Sequence, residues 1–204
     1  MLTLFGVKNS CSLATHIALE ESGTDYVFKK IDTAAGEQRT PGYLKINPKG
    51  RVPALATADG ILTENVALLH YVGALNPKAN LLPDSPFALA RMNAFNSYLA
   101  STVHVNHAHK IRGGRWSDDP AVIENLKIKV PRTMTDCAAL IETEYLAGPW
   151  VMGEQFTVAD GYLLTITQWL EGDGVDMSKF PKILAHRDAM MKRAAVQRVF
   201  AMLG

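Results

Sequence analysis

The first third of the chain shows two hydrophobic periods in turn. Residues 2–5 form a short apolar run, and residues 26–31 place apolar side chains at mostly alternating positions, which is typical of strands. Between them, residues 13–21 repeat apolar side chains at helical spacing, and Gly23 ends that segment. The pattern therefore predicts a strand, a helix and a second strand.

A hairpin is predicted further on. Residues 53–57 and 61–63 are apolar runs on either side of Asp59-Gly60, and Asp-Gly is a strong two-residue turn signal. A short helical or turn segment is expected near residues 43–46, and a helix from Glu64 to about Leu75. The predicted order is β-α-β-α-β-β-α, a small mixed sheet with helices on its faces.

The rest of the chain reads as helical. Residues 77–86 contain three prolines and carry no strong period, so we expect a linker there. Residues 1–76 form the predicted α/β domain, and residues 87–204 the predicted all-α bundle domain. Ser85-Pro86 and Asp119-Pro120 each combine a capping side chain with a proline at the first helical position.

Composition narrows the class of protein. The 204 residues include 21 basic and 20 acidic side chains, so the formal charge of +1 gives no general reason to expect a nucleic-acid partner. No run approaches the roughly 20 apolar residues of a membrane span, so no membrane partner is expected. Two cysteines and no signal-peptide pattern favour the cytoplasm.

The segment Asn47 to Leu55, with the sequence NPKGRVPAL, is the most informative in the chain. Pro53 is predicted to begin a strand, where its missing N–H is tolerated. Val52-Pro53 after a glycine turn suggests a cis peptide bond, which would present the backbone N–H and C=O of Val52 to an extended peptide ligand.

This run, N-P-x-G-x-V-P-x-L, followed by Leu62-Thr63-Glu64-Asn65, resembles the glutathione-binding region of the cytosolic glutathione transferases. Residues 11–19, CSLATHIAL, are similar to the first helix of the bacterial beta class, and residues 156–160, FTVAD, to the family's C-terminal capping motif. The resemblance spans the chain in matching order. It implies a thioredoxin-like domain, a helical second domain and a homodimer.

The resemblance also implies how glutathione binds as cosubstrate. Val52, flanked by Arg51 and Pro53, would pair with the cysteinyl backbone of glutathione. Glu64 and Asn65 match the pair that binds its γ-glutamyl group, with Asn65 in place of the usual serine. A helix N-terminus suits a carboxylate, and Glu64 suits an ammonium group; capping of the helix alone is the other interpretation of this pair.

Cys11 is the first candidate for thiol activation. It follows Asn9 and Ser10 at a predicted helix start, where a thiol pKa is lowered. The beta class carries a tyrosine upstream of its cysteine, and that position is Gly6 here, so Cys11, Ser10, Asn9 and Ser12 all remain candidates. Alternatives are a Cys11-dependent glutathione thiol transferase or lyase, and a non-catalytic binding protein; Cys11 could also be a small buried residue.

A histidine-rich segment is predicted to line the second-substrate site. His104 matches a histidine that faces the beta-class cleft, and His107, Arg112 and Trp116 follow on the same segment, with Arg115 beside them. For His107 a solvated helix face is an equal alternative. A metal site is not expected, because no acidic residue or cysteine stands nearby. The expected second substrate is a small hydrophobic electrophile.

Thr157 and Asp160 have the spacing of a capping box. They are predicted to stabilise a helix start and to take no part in chemistry. The accompanying hydrophobic contact between Phe156 and the fourth helical position is not expected, because that position is Gly161.

Overall fold

A computed structural model describes residues 1–203. Its first part is a four-stranded sheet made of β1 (Leu2–Gly6), β2 (Tyr26–Lys30), β3 (Ala54–Ala56) and β4 (Ile61–Thr63), in the order β2-β1-β3-β4. β1 and β2 are parallel, with Leu2 opposite Tyr26, and the other pairs are antiparallel. The predicted order of strands and helices is confirmed.

Three helices belong to this sheet: α1 (Ser12–Ser22), α2 (Pro41–Leu44) and α3 (Asn65–Leu75). α1 ends at Gly23 in the left-handed conformation (φ 65°), as its glycine predicts. α2 begins two residues before the segment expected at 43–46, because the Thr40 hydroxyl caps it and Pro41 takes its first position. α3 begins after Glu64 rather than at it.

The second part is helical. It contains α4 (Pro86–Tyr98), α5 (His104–Arg112), α6 (Pro120–Leu140), α7 (Val158–Thr167), α8 (Pro181–Met191) and α9 (Ala194–Leu203). Ser85 and Asp119 cap α4 and α6 as predicted, each accepting a backbone N–H. A π-helical turn, Leu99–Val103, joins α4 to α5. None of the helices described for residues 1–203 is long and apolar enough to cross a bilayer.

The two parts share one hydrophobic core. Ala14 of α1 and Leu69 of α3 belong to the same buried cluster as Tyr162 and Leu163 of α7. Helix α7 approaches α1 closely because Gly161 has no side chain: a Cβ there would lie 3.1 Å from Ile17 Cγ2. This packing fixes the N-terminus of α1 against the helical part, and the cleft described next lies at that junction.

Candidate active site

Two adjoining cavities open at the N-termini of α1 and α3. The first, of about 130 Å³, is called the Glu64 cavity. The second, of about 320 Å³, is called the arginine cavity. Both are lined by Cys11, Arg51, Val52 and His104. The Glu64 cavity adds Asn47, Pro53, Glu64, Asn65, Val66, Ala100 and Tyr162. The arginine cavity adds Asn9, Ser10, Thr33, Gln38, Gly50, His107, Arg112, Arg115 and Trp169.

The loop before β3 presents Val52 to both cavities. The Val52–Pro53 peptide bond is cis, as the sequence suggests. The preceding carbonyl, that of Arg51, accepts hydrogen bonds from Asn47 Nδ2 at 2.7 Å and from Tyr43 Oη at 2.8 Å. These two buried side chains hold the loop from behind, so the Val52 backbone has a fixed position at the cavity wall.

Glu64 stands at the start of α3 in an unusual conformation. Its φ is 73°, which is uncommon for a residue with a side chain and is concentrated at functional sites. The carboxylate is exposed and pairs with Lys49 Nζ, which also donates to Thr63 Oγ1 at 2.8 Å. Glu64 is therefore accessible to a ligand, which has to share or replace Lys49.

The Asn65 side chain already makes hydrogen bonds within the protein through both its nitrogen and its oxygen. Its Nδ2 donates to the Cys11 carbonyl at 2.7 Å, and its Oδ1 accepts from Thr15 Oγ1 at 2.8 Å. Asn65 therefore ties the start of α3 to the start of α1. What it leaves for a ligand is the N-terminal end of α3, where free backbone N–H groups favour an anion.

Cys11 precedes α1 at the boundary of the two cavities. Its Sγ–H donates to the Val52 carbonyl, with 3.4 Å between Sγ and oxygen. Burial raises the pKa of this thiol to about 11, although the Arg112 guanidinium opposes the shift. The expected lowering of the Cys11 pKa is therefore wrong, because desolvation of the thiolate outweighs the helix N-terminus.

The other thiol-activation candidates differ in accessibility. Asn9, with φ 61°, and Ser10 line the arginine cavity. Ser10 Oγ donates to the Val7 carbonyl at 2.9 Å and lies 2.7 Å from Ser12 Oγ. Ser12 is buried, accepts from the Val7 N–H at 2.9 Å, and lines neither cavity. Ser12 therefore holds the β1–α1 turn.

Gly6 stands at the position that matches the beta-class tyrosine, and its surroundings leave no room for a side chain. A Cβ at this position would lie 2.8 Å from Ser12 Oγ and 2.9 Å from Phe28 Cε2. No side chain fits there without moving the turn that carries Cys11. The Ser12 side chain and the Phe28 ring occupy the space beside it.

His104 and His107 extend the site onto α5. Burial lowers the pKa of His104 to about 4, with further lowering by His107 and Arg112, so the ring is neutral near pH 7. His107 Nδ1 lies 2.6 Å from Asp173 Oδ2, and its ring stacks on Trp169 with centroids 4.2 Å apart. Both residues line the arginine cavity, and the contacts with Asp173 and Trp169 fix the orientation of the His107 ring.

Trp116 is not brought to the cavities with the other second-substrate candidates. Its ring lies edge-on to His109, with centroids 4.5 Å apart, and is about half exposed. Arg112 and Arg115 do line the arginine cavity. Within residues 1–203, no three side chains of histidine, cysteine, aspartate or glutamate are grouped so as to hold a metal ion.

Sequence reasoning missed two aromatic residues of the site. Tyr162 of α7 closes the Glu64 cavity, and Trp169, just after α7, forms part of the arginine cavity wall. Both come from a segment more than a hundred residues away from the motif at residues 47–55. Their apolar spacing is that of ordinary core residues, so no local signal separates them from the core.

Together the fold and the cleft define a thioredoxin-like domain joined to a helical domain, with a candidate site between them. The two domains match known families: residues 1–74 match the "Glutathione S-transferase, N-terminal domain" and residues 128–194 the "Glutathione S-transferase, C-terminal domain". The chain is also 30% identical over 199 residues to glutathione S-transferase GstA of Escherichia coli O157:H7, covering 96% of each protein. The chain belongs to the glutathione S-transferase family.

Solved structures agree. A glutathione transferase homologue from Sulfitobacter, solved with bound glutathione, is 48% identical, with a TM-score of 0.96 over 99% of this chain and 98% of that one. A beta-class glutathione S-transferase from Sphingomonas chungbukensis is 31% identical, with a TM-score of 0.86 over 99% and 98%. The family and fold predicted from the sequence are confirmed, including the likeness to the beta class.

Proposed function

We propose that this protein is a glutathione transferase that binds glutathione in the Glu64 cavity and joins its sulfur to a small electrophile in the arginine cavity. One observation carries the proposal. The Val52 backbone, the Glu64 carboxylate and the Cys11 thiol, on three different segments, border a single cavity. A homologue of the same fold, 48% identical, was solved with glutathione bound.

The binding assignment follows the charges of the tripeptide. Its γ-glutamyl carboxylate meets the N-terminal end of α3, and its ammonium group meets Glu64, displacing or joining Lys49. Its cysteinyl backbone pairs with Val52 between Arg51 and Pro53. This directs the glutathione sulfur toward Cys11, where the two cavities meet.

Several groups beside Cys11 would stabilise a glutathione thiolate. Three groups lower the pKa of the Cys11 thiol against the effect of burial. They are the Arg112 guanidinium, the backbone N–H at Cys11 and the Arg51 guanidinium. A glutathione thiolate beside Cys11 meets the same groups, and the thiol or hydroxyl of Cys11 or Ser10 can donate a hydrogen bond to it. The displaced proton leaves to solvent water, because the His104 ring, with a pKa of about 4, is too weak a base to hold it.

The chemistry is nucleophilic displacement or addition. The glutathione sulfur forms a bond to an electrophilic carbon, and in a displacement the leaving group departs with the electron pair. Holding thiolate and electrophile together supplies the gain expected from proximity. Cys11, with a thiol pKa of about 11, is a poor nucleophile near neutral pH, which disfavours the Cys11-dependent alternative.

The test is conjugation of glutathione to 1-chloro-2,4-dinitrobenzene, followed by absorbance. We expect a rate well above the uncatalysed one for the wild type, and continued turnover for Cys11→Ser, which keeps a hydrogen-bond donor. Turnover that requires Cys11 and ends in a Cys11–glutathione disulfide would establish the thiol transferase instead. Glutathione binding without turnover of either 1-chloro-2,4-dinitrobenzene or the anionic electrophile 4-chloro-3-nitrobenzoate would favour a non-catalytic protein.

Three further assignments complete the proposal. The chain divides into residues 1–76, a linker at 77–86 and residues 87–204, which agrees with the absence of long helices or strands between α3 and α4. It works in the cytoplasm. It forms a homodimer, as the resemblance implies, and a single-chain mass in light scattering at micromolar concentration would contradict that.

A further inference from the structure

The arginine cavity has an unbalanced charge. Arg51, Arg112 and Arg115 line it, and no aspartate or glutamate does. The nearest carboxylate on its histidine wall is Asp173, which is already 2.6 Å from His107 Nδ1 and 3.7 Å from Lys110 Nζ. The positive charge of the cavity is therefore not neutralised by the residues that form it.

The three guanidinium groups are also without partners. Within residues 1–203, none of them makes an ion pair or a side-chain hydrogen bond. Four other arginines are paired: Arg132 with Asp136, Arg187 with Glu171, Arg193 with Glu21 and Arg198 with Glu20. Within residues 1–203, three of the five arginines without an ion pair therefore line this one cavity.

These charges are close enough to interact. The pKa of Arg115 is lowered by partial burial and then by the neighbouring charges of Arg112, Arg51 and Arg39. Like charges at such separations repel, and a bound anion relieves that repulsion. Guanidinium groups also match carboxylates in shape, because each can donate two parallel hydrogen bonds.

The cavity has an aromatic side as well. Trp169 stacks on His107 and lies 5.0 Å from the ring of His104, centroid to centroid. This wall favours a flat apolar body. A ligand with an aromatic or unsaturated body and an anionic group matches both parts of the cavity better than a wholly apolar one.

We propose that the electrophile taken by this protein carries a carboxylate or a similar anionic group, which Arg112 and Arg115 bind. The inference rests on the proposed function and narrows its substrate class from a hydrophobic electrophile to an anionic one. Both arginines belong to the helical part of the chain. The contacts assigned to the cysteinyl backbone and the γ-glutamyl group of glutathione, at Val52 and Glu64, belong to the sheet part.

The experiment compares 4-chloro-3-nitrobenzoate with its methyl ester. In both, the glutathione sulfur bonds to the ring carbon and chloride leaves with its electron pair. Each rate is divided by the uncatalysed rate for the same compound. We expect kcat/KM, so corrected, to favour the acid, and the acid-to-ester ratio to fall about tenfold in R112Q/R115Q. Arg132→Gln, an exposed arginine on α6, is the matched control and should keep the ratio.

Two results would overturn the inference. One is an acid-to-ester ratio that is the same in the wild type and in R112Q/R115Q. The other concerns the KM for glutathione. It is an increase in R112Q/R115Q as large as the increase that the wild type shows when the glycyl carboxylate of glutathione is esterified. That result would assign the two arginines to glutathione and not to the electrophile.

A binding measurement keeps this test separate from the proposed function. Unreactive 3-nitrobenzoate and its methyl ester are titrated by calorimetry into the glutathione-saturated protein. Preferential binding of the acid, lost in R112Q/R115Q at unchanged melting temperature, supports the anion site even if neither chloro compound turns over. Equal binding of acid and ester contradicts the site, whatever the outcome of the kinetic assay.

Discussion

Among single residues, Cys11 differs most from its sequence-based expectation. A helix N-terminus lowers a thiol pKa, but burial at the junction of two domains raises that of Cys11 to about 11. The position of Cys11 at a helix start can be predicted from the sequence. Its desolvation cannot, because it depends on Val52, Tyr162 and other residues that the fold brings next to the thiol.

The Cys11 pKa gives a prediction about alkylation. In a Cys137→Ala background, which leaves one thiol, the rate of Cys11 alkylation by iodoacetamide should rise about tenfold per pH unit. The rise should continue past the pKa of roughly 8.5 of an unperturbed cysteine, because the raised pKa keeps the thiolate scarce at lower pH. Mass spectrometry of quenched samples gives the rate at each pH. A plateau below about pH 8 would mean that the thiol is activated.

The residues of the binding motif were within reach of sequence reasoning because they are close together in the chain. Val52 and Glu64 belong to one run, and their order matches a known pattern. Sequence reasoning could not predict the neutral state of His104 or the hydrogen bond from Asn65 to the Cys11 carbonyl. Both depend on contacts between segments that are distant in the chain.

Among the secondary-structure elements, α7 begins with the capping interactions that the sequence predicts. Thr157 and Asp160 form the predicted capping box. Asp160 is fully buried, and its two oxygens accept from the Thr157 and Val151 N–H groups, each at 2.8 Å. Its Oδ1 also lies 3.1 Å from His186 Nε2 of α8. The carboxylate therefore joins α7, α8 and the loop before α7.

Asp160→Ala should lower the free energy of unfolding by about 3 kcal/mol, because it leaves two buried N–H groups without acceptors. Asp119→Ala, which removes an exposed cap from α6, is the control and should cost about 1 kcal/mol. Urea denaturation measures both. Turnover per folded molecule should stay near that of the wild type. An Asp160→Ala protein with unchanged stability and lost activity would place this residue in the chemistry.

Local signals predicted the elements whose boundaries are set locally. The Asp-Gly turn, the serine and aspartate caps and Gly23 all correspond to observed boundaries. Gly161 shows the limit of that approach: its missing side chain removes the contact with Phe156, and the structure shows that the space is needed by Ile17 of α1. Phe156 instead lies edge-on to Trp150 and under Arg193.

For the whole molecule, the site exists because the two parts are held in one arrangement. Arg193, between α8 and α9, makes a two-pronged ion pair with Glu21 of α1, at 2.5 and 2.8 Å. With the shared core, this contact fixes α1, and hence Cys11, opposite the residues of α5. The order of elements in each part was predictable from the sequence, whereas the cleft between them required the packing.

The most direct test of the central claim is calorimetric titration of glutathione into three proteins. We expect the wild type to bind, and Glu64→Gln, which removes the charge facing the ligand ammonium, to bind about tenfold more weakly, a loss of about 1.4 kcal/mol. Glu124→Gln is the control, since Glu124 is a similarly exposed glutamate paired with a lysine on α6, and it should bind like the wild type. A wild type that does not bind glutathione, or a Glu64→Gln protein with unchanged affinity, would contradict the assigned site.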